Sequence, residues 1–472
     1  MTNLDDLILN ASSAAAVFSQ LDQFQTDKIV KAVYEAAFKN RVRLAKLAYE
    51  ETGIGKWEDK TIKNVLATQF VYNDIKDLKS VGVISEDEES GITEIAQPLG
   101  PIFAVIPCTN PTSTVIFKIL IALKTRNPII ISPHNRSAKC SSEAAKICYE
   151  AAIKANAPDY CIQWMKESSK EKTQAIMSNK SIALILATGG GGLVKAAYSS
   201  GTPAIGVGAG NVPVYIEKTA DIPFAVEQII MSKTFDNGTV CASEQALVVE
   251  KNIETKVIEE FKKRNAYFLT EDEIKKIEAI AIDKERGVMN AEIVGQSAQV
   301  IAEKAGIKIP DGTALLVASL KTVGKESPLS GEILAPVLAF YSTEGFDQAV
   351  NLCIDLNFFG GIGHTVSIFS NDDEKIRKFS LLMNAGRIVV NTPSSQGAVG
   401  GLFNKLSPSL TLGCGSGGKN ITTDNISAKH LLNIQRIARR RVNTRLDKFD
   451  TKLYFDESLD AKSIEKAYNK NY

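Results

Sequence analysis

Residues 182–195 read IALILATGGGGLVK and combine an apolar run of strand length, a turn of four glycines and the start of a helix. Two similar units come earlier in the chain, where apolar runs at 102–106 and 128–132 precede helical patterns that start near Thr114 and Ser141. Strands that alternate with helices are typical of a parallel, doubly wound sheet with helices on both faces. The sequence therefore predicts an α/β fold.

The rest of the chain extends this organisation on both sides. Apolar positions at helical spacing predict helices through residues 1–80, and two strand-like runs around an acidic turn predict a hairpin at 81–97. A second α/β unit begins near Thr234. Its predicted elements are helices at 253–264, 271–284 and 296–305, and strands near 246–249, 314–318, 366–369 and 387–390.

The composition is typical of a soluble globular protein. The chain has 472 residues, of which 44% are hydrophobic and 23% charged, with a formal net charge of +1. This balance gives no support for a nucleic acid or an anionic membrane as the main partner. A local run of arginines at 436–441 predicts a helix with a basic, solvated or interfacial face. No apolar run is long enough to span a membrane, and the acidic N-terminus lacks the basic segment of a signal peptide.

The use of cysteine and histidine indicates a reducing compartment and no structural metal. The seven cysteines are scattered without paired spacing, so we expect no disulfides and a cytoplasmic location. There is no CxxC, and the three histidines, His134, His364 and His430, are far apart in the sequence. We therefore expect no metal site.

One cysteine differs from the others in its surroundings. Residues 235–245, FDNGTVCASEQ, place Cys241 between a turn of small residues and a strand-like run, where a thiol can face a cleft. A cysteine thiolate forms adducts with carbonyl carbons, so Cys241 is a candidate nucleophile. Free cysteines are more often small buried hydrophobes, and residue chemistry by itself leaves that alternative open.

Two further segments carry candidate binding groups. The glycine turn at 189–192 would present bare backbone N–H groups and a helix dipole to a phosphate. It lacks the GxGxxG spacing, and a tight turn without a ligand is the alternative. Asn110 follows a predicted strand, at the kind of edge where ligand groups meet in α/β sheets. Its amide could donate to an oxyanion, or Asn110 could simply form the turn before Pro111.

Together these segments resemble the aldehyde dehydrogenase superfamily, and more narrowly its CoA-acylating branch, as in the acetaldehyde dehydrogenase half of bifunctional aldehyde–alcohol dehydrogenases. The resemblance runs from about residue 20 to about residue 445, and it is specific because many segments occur in the same order. Gly417 departs from it, since an aromatic residue is expected there. The matching segments are 107–113, 132–134, 187–190, 195–201, 206–211, 233–245, 360–365 and 409–416.

The resemblance implies the aldehyde dehydrogenase fold, with a Rossmann-like cofactor domain, an α/β catalytic domain and a small oligomerisation hairpin. The cofactor-binding domain would span 1–235, together with the hairpin at 81–97 and a return segment at 421–450. The catalytic thiol domain would span 236–420, and 451–472 would form a loosely ordered tail. A homodimer or a higher homo-oligomer is expected.

The resemblance also assigns roles to site residues. Cys241 would be the nucleophile, and Asn110 would form the oxyanion hole with the backbone N–H of Cys241. His364 would lie near the active site, either to help deprotonate CoA or as a structural histidine. The cofactor, expected to be NAD, would be bound by Ser132, Pro133, His134, Thr188, Gly189, Gly190, Val207, Gly208 and Glu332.

An absent carboxylate indicates the acyl acceptor. Hydrolytic aldehyde dehydrogenases carry a glutamate general base in the segment that matches 206–213. Here Val207 occupies its position, and no acidic residue occurs between Gly201 and Ile216. Water is then a poor second nucleophile, and CoA is the expected acyl acceptor. The expected reaction converts a short-chain aldehyde (acetaldehyde first), CoA and NAD into acyl-CoA and NADH, reversibly, through a thioester on Cys241.

Three alternatives remain open at this point. The substrate could be an anionic aldehyde such as succinate semialdehyde or sulfoacetaldehyde, which would need a cation in the acyl pocket. The enzyme could be hydrolytic and release a free acid. The chain could also be mainly an assembly element, because relatives of this family form dimers and some form helical filaments, and the hairpin at 81–97 could mediate such association.

Overall fold

The computed structural model describes residues 4–283 and 288–470, and helices alternate with strands as the sequence predicts. None of the helices within these ranges combines the length and the apolar character needed to cross a membrane. The α-helices are Leu4–Phe18, Gln23–Lys39, Arg41–Thr52, Trp57–Val65, Val71–Ile75, Pro111–Lys124, Ala138–Lys154, Lys170–Met177, Gly191–Tyr198, Ile222–Thr234, Lys251–Lys263, Glu271–Ala281, Ala298–Lys304, Phe346–Gly360, Asp373–Leu382, Ser394–Val399, Thr444–Asp447 and Ala461–Asn469. The strands are Gly82–Asp87, Ile92–Pro98, Ile102–Val105, Ile129–Ser132, Ile162–Trp164, Leu184–Thr188, Ala204–Val207, Val212–Ile216, Glu244–Glu250, Ala266–Phe268, Ile282–Asp283, Val288–Met289, Leu315–Ser319, Val337–Thr343, Gly363–Phe369, Ala385–Val390 and Leu432–Ala438.

The first sheet has five parallel strands and confirms the predicted doubly wound unit. Residues of its central strand alternate between two apolar cores, with Ile102 in one core and Phe103 in the other. Both faces of the sheet are therefore buried, as expected when helices cover both sides of a parallel sheet. In spatial order the strands are Ile162–Trp164, Ile129–Ser132, Ile102–Val105, Leu184–Thr188 and Ala204–Val207.

The second sheet has seven parallel strands. Strand Val212–Ile216 lies on the N-terminal side of the boundary predicted at 235, yet it pairs with Glu244–Glu250 and Gly363–Phe369 in this sheet. Its residues are all buried, so its backbone groups need partners on both edges. The glycine-rich segment at 206–211 carries the chain from the first sheet to the second. In spatial order the strands are Ala266–Phe268, Leu315–Ser319, Val337–Thr343, Glu244–Glu250, Val212–Ile216, Gly363–Phe369 and Ala385–Val390.

Most predicted elements occur with boundaries displaced by a few residues. The helix predicted at 271–284 ends at Ala281, and residue 284 itself lies outside the described ranges. Strand Val337–Thr343 and helix Phe346–Gly360 have no counterpart among the predicted elements. Both are largely apolar, and short apolar runs do not distinguish a strand from a helix by periodicity alone.

A separate unit comprises Lys79–Gln97 and Asn433–Tyr472. Within it the hairpin strands pair antiparallel, which confirms the predicted hairpin. The segment expected to be a loosely ordered tail contains a short helix. The ring of Phe449 packs against Tyr454 and Tyr468 there, with ring centroids 4.9 and 5.5 Å apart.

The prediction made for the arginine run at 436–441 needs correction. The prediction of a helix there is wrong, because Arg436 lies in strand Leu432–Ala438 of the same three-stranded sheet as the hairpin at 81–97, and residues 439–441 are in neither a helix nor a strand. Arg436 also forms an ion pair with Glu94 of the hairpin, with 2.9 Å between nitrogen and oxygen. The free edge of a hairpin presents unpaired N–H and C=O groups to a further strand. This long-range pairing outweighs the local helical spacing.

Candidate active site

A cavity of about 890 Å³ lies where strands of the first sheet end, and it contains most of the predicted site residues. Thr188 and Val207 are the last residues of their strands, in agreement with the general position of ligands in parallel sheets. A smaller cavity of about 450 Å³ shares part of this lining. His364 lines neither cavity. The predicted residues that line the larger cavity are Asn110, His134, Thr188, Gly189, Gly190, Val207, Gly208, Cys241 and Glu332, and those that line the smaller one are Ser132, Pro133, His134, Thr188, Gly189 and Gly190.

Cys241 lies between a tight turn and strand Glu244–Glu250, and its half-buried thiol faces the larger cavity. Burial raises the pKa of this thiol to about 12, and the charge of Glu332 adds to the rise while that of Arg387 opposes it. The thiol is therefore protonated at neutral pH, and its proton must leave before it can attack a carbonyl carbon. Positive charge or hydrogen-bond donors near Cys241 consequently favour the reaction.

Asn110 precedes helix Pro111–Lys124, and its side-chain amide is held at both ends. Its Oδ1 accepts a hydrogen bond from Lys63 Nζ at 2.6 Å. Its Nδ2 lies 3.1 Å from Thr109 Oγ1 and 3.4 Å from the carbonyl oxygen of Thr239, in the segment that leads to Cys241. The amide nitrogen is thus turned toward the segment that leads to Cys241, as a donor to an oxyanion formed at this thiol would be.

Two lysines and one aspartate form a buried group behind Asn110, which we call the Lys60–Lys63–Asp236 cluster. Lys60, Lys63 and Asp236 are 3%, 4% and 0% exposed. Asp236 Oδ2 lies 3.0 Å from Lys60 Nζ and 2.5 Å from Lys63 Nζ. Buried charges are retained only when they are paired and hydrogen-bonded, as here. The only sequence signal for the cluster is the three-residue spacing of the lysines on helix Trp57–Val65, which a solvated helix face would also show.

His364 packs against Gly210, next to the backbone of Cys241. It is fully buried, and its Nδ1 lies 2.9 Å from Thr365 Oγ1, while its Nε2 has no hydrogen-bond partner among the described residues. A Cβ atom added to Gly210 would lie 3.0 Å from the imidazole ring and 2.3 Å from the carbonyl oxygen of Cys241. Gly210 therefore allows the two segments to meet. Burial, with the charge of Arg387, lowers the pKa of His364 to about 3, so the imidazole is neutral.

Glu332 lines the larger cavity and contacts the segment that links the two sheets. Its Oε1 accepts a hydrogen bond from the backbone N–H of Gly210 at 2.9 Å. Burial raises its pKa to about 7, although the Gly210 hydrogen bond and the charge of Lys233 oppose this rise. Among the described residues that line the larger cavity, Glu332 is the only acidic one.

The lining shared by the two cavities fits a dinucleotide. Side chains added at Gly190, Gly191 and Gly192 would meet no atom within 4 Å, so open space lies beside the backbone at the start of helix Gly191–Tyr198. Thr188 Oγ1 is buried and has no hydrogen-bond partner in the part of the chain that the structure describes. A phosphate at the helix N-terminus would satisfy such groups.

The fold and this site define the class of protein. The model of the aldehyde dehydrogenase family matches residues 2–404, and the chain belongs to this family. It is 46% identical over 459 residues to the bifunctional aldehyde-alcohol dehydrogenase AdhE of Escherichia coli strain K12. The aligned region covers 96% of this chain and 51% of that protein. The chain thus spans about half the length of the bifunctional relatives that it matches.

Solved structures agree with this assignment. An acetylating aldehyde dehydrogenase from Geobacillus thermoglucosidasius is 50% identical with a TM-score of 0.91, over 93% of this chain and 97% of that chain. A propionaldehyde dehydrogenase from Rhodopseudomonas palustris, solved with bound CoA and an acylated cysteine, is 26% identical with a TM-score of 0.83, over 93% of this chain and 97% of that chain. The aldehyde dehydrogenase fold expected from the sequence is confirmed.

Proposed function

We propose that this chain is a CoA-acylating aldehyde dehydrogenase, which converts a short aliphatic aldehyde, CoA and NAD into acyl-CoA and NADH and also catalyses the reverse reaction. Acetaldehyde is the proposed first substrate. The observation that carries the proposal is the lining around Cys241. Val207, which by the family resemblance occupies the position of the general base of hydrolytic enzymes, lines this cavity, and the single acidic residue of the described lining, Glu332, is hydrogen-bonded to Gly210.

The residues that would hold NAD are distributed over both cavities. The glycine turn and the start of helix Gly191–Tyr198 would bind the pyrophosphate, since backbone N–H groups and the helix dipole favour negative charge there. Glu332 would accept hydrogen bonds from the nicotinamide ribose. When bound, the dinucleotide accepts the hydride that leaves the aldehyde carbon. The remaining proposed contacts come from Ser132, Pro133, His134, Thr188, Val207 and Gly208.

The chain's own groups carry out the acyl transfer. The Cys241 thiolate attacks the aldehyde carbon, and the resulting oxyanion is held by the Asn110 amide and the backbone N–H of Cys241. Loss of one such donor typically costs ~10²–10³ in rate. Loss of hydride from the carbon leaves a thioester on Cys241. The thiolate of CoA then attacks this thioester, Cys241 leaves as a thiolate, and acyl-CoA is released. One thioester replaces another, so the sequence runs in both directions.

The lining of the larger cavity supports an uncharged, aliphatic aldehyde. Apolar side chains that include Ile62, Leu66 and Val240 face the cavity. Two lysines also line it: the ammonium group of Lys63 is already bound by Asp236 and neighbouring acceptors, and Lys325 is an exposed side chain. An anionic aldehyde would need a free cation close to the thiol, and Lys63 cannot supply one without breaking these contacts.

The position of His364 supports a role in proton transfer less well than the positions of Cys241 and Asn110 support theirs. A fully buried imidazole outside the cavity does not reach a CoA thiol in this conformation. Because His364 packs against Gly210, we propose that it shapes the segment of Cys241 and does not take the proton from CoA.

Replacement of the nucleophile tests the proposal. Cys241→Ala should abolish NADH formation from acetaldehyde as well as NADH consumption with acetyl-CoA, because both directions pass through the thioester. Mass spectrometry after incubation with acetyl-CoA should find an acetyl group on Cys241 of the unmodified protein. Cys108→Ala is the matched control, since Cys108 lines the same cavity, and it should retain acetylation. NADH formation that survives in Cys241→Ala would refute the assignment.

A further inference from the structure

Lys63 makes three contacts that use every proton of an ammonium group. Its Nζ lies 2.6 Å from Asn110 Oδ1, 2.5 Å from Asp236 Oδ2 and 2.9 Å from Thr239 Oγ1. The Thr239 hydroxyl donates its own proton to Asp236, so it acts only as an acceptor toward Lys63. A protonated lysine has three donors and no acceptor, which is the bonding pattern found here.

These contacts decide which way the amide of Asn110 points. Because an ammonium group only donates, the atom of Asn110 that faces Lys63 must be the amide oxygen. The amide nitrogen then lies 3.1 Å from Thr109 Oγ1 and 3.4 Å from the carbonyl oxygen of Thr239, in the segment that leads to Cys241. The oxygen and nitrogen of an amide have almost the same shape, so packing alone does not fix this choice. The reversed amide would present an acceptor where the oxyanion needs a donor.

Lys63 is itself held in place by a rigid neighbour. The Asp236 carboxylate accepts hydrogen bonds from the backbone N–H of Lys56 at 2.7 Å and from Lys60 Nζ at 3.0 Å. The backbone N–H of Asp236 donates to Asp59 at 2.8 Å. The partner of the Lys63 ammonium is thus fixed from several sides, and none of these other contacts reaches Asn110.

We propose that Lys63 is a positioning residue of the oxyanion hole, which fixes the amide of Asn110 so that its nitrogen faces the oxyanion formed at Cys241. Lys63 acts through Asn110 and does not itself contact the reacting atoms. The inference deepens the proposed function and rests on the roles of Cys241 and Asn110. It does not depend on whether CoA or water resolves the thioester.

The test isolates acylation of Cys241 from the steps that need NAD or CoA. With p-nitrophenyl acetate, the Cys241 sulfur forms a bond to the acetyl carbon, p-nitrophenolate leaves, and the thiol proton goes to solvent. Lys63→Met should lower the rate constant of this step ~10²-fold, close to the ~10²–10³-fold loss expected for Asn110→Ala. The ester concentration at half-saturation should change by less than about threefold, because the lost interaction forms only with the oxyanion.

A double-mutant cycle separates positioning from general damage. In the Asn110→Ala background, Lys63→Met should lower the rate by less than about threefold, because the group that it positions is absent. Lys60→Met is the matched control. Lys60 lies on the same helix and binds the same oxygen of Asp236, but it contacts the backbone oxygen of Thr109 and not Asn110. In the double variant, the rate loss caused by Lys60→Met should multiply with the rate loss caused by Asn110→Ala.

Each remaining outcome has a defined meaning. Wild-type acylation in Lys63→Met, or losses that multiply in the Lys63→Met/Asn110→Ala double variant, would overturn the positioning role. If circular dichroism shows that Lys63→Met does not fold, Lys63→Gln, which keeps N–H donors without the charge, replaces it in the same cycle and should acylate faster than Asn110→Ala. Absence of acylation at Cys241 in the unmodified protein would refute the proposed nucleophile and leave no oxyanion to position.

Discussion

At the scale of single residues, the outcome of the proposed reaction would depend on Val207 as well as on Cys241. Val207 is 4% exposed and lines the same cavity as the thiol. A hydrolytic enzyme needs a carboxylate near this point to remove a proton from water. An aliphatic side chain cannot take a proton from water. The thiol of CoA is already a good nucleophile and then attacks the thioester more readily than water does.

Val207→Glu should therefore create hydrolytic activity. Burial would raise the pKa of the new carboxyl group toward neutrality, which suits a general base. We expect NADH formation without CoA to increase about tenfold or more, below the ~10²–10⁴-fold that a well-placed general base supplies. Val207→Gln has nearly the same shape but no base, and it should show no such increase. Equal CoA-independent rates in the two variants would contradict this role for position 207.

The proposed reacting residues could be named from the sequence, whereas the contacts that hold them in place could not. Cys241 and Asn110 each lie in a short contiguous motif, so local sequence carries the signal. The contacts of Lys63 with Asp236 and Asn110 join positions that are 173 and 47 residues apart. Nothing in the residues around Lys63 distinguishes it from a lysine on a solvated helix face, and only the folded chain brings it to the site.

At the scale of elements, the turn before Cys241 has an unusual backbone. Asp236, Asn237 and Gly238 have φ values of 49°, 51° and 74°, three consecutive residues in the left-handed region. Such a conformation costs roughly 1–2 kcal/mol for a residue other than glycine, somewhat less for Asp and Asn. The hydrogen bonds of the Asp236 carboxylate and of Asn237 Nδ2, which donates to Gly295 O at 2.9 Å, offset this cost.

Gly55 gives a direct test of this turn. A Cβ atom at Gly55 would lie 1.8 Å from Asp236 Oδ1, so Gly55→Ala must displace the carboxylate, and φ at this position is also +76°. We expect Gly55→Ala to reduce the free energy of unfolding by ~3 kcal/mol and to slow acylation of Cys241. Gly53→Ala is the control, since Gly53 has φ +64° but no atom within 4 Å, and it should cost ~1 kcal/mol. Equal urea midpoints for the two variants would contradict the account of the turn.

Element types were predictable wherever strand and helix patterns alternate clearly. The five-stranded sheet follows from such patterns, and so does the hairpin at 81–97. The strand Leu432–Ala438 was not predictable, because the arginine run that begins in it at Arg436 has helical spacing and the strand forms by pairing with the hairpin sheet. The sequence also does not predict which sheet contains strand Val212–Ile216. Its local sequence fits either sheet, and its strand partners are distant in the chain.

At the scale of the whole molecule, each of the two large sheets supplies a different part of the proposed site. The first sheet supplies the glycine turn and Val207, and the second supplies the segment that carries Cys241. The two cavities share His134, Thr188, Gly189 and Gly190 in their linings, so the proposed NAD contacts of the smaller cavity adjoin the cavity that Cys241 faces. This arrangement needs residues from both sheets and explains why the activity proposed here belongs to the chain as a whole.

The most direct test of the central claim is NADH formation from acetaldehyde and NAD with and without CoA. Glu332 is the only carboxylate in the described lining around Cys241, and we propose that it binds Gly210 and the nicotinamide ribose instead of activating water, so the acyl group should remain on the thiol until CoA removes it. We predict that steady-state NADH formation depends strictly on CoA and that acetyl-CoA is the product. Equal rates without CoA, with acetate as the product, would mean that water resolves the thioester, with Glu332 as the carboxylate that activates it, and would contradict the account.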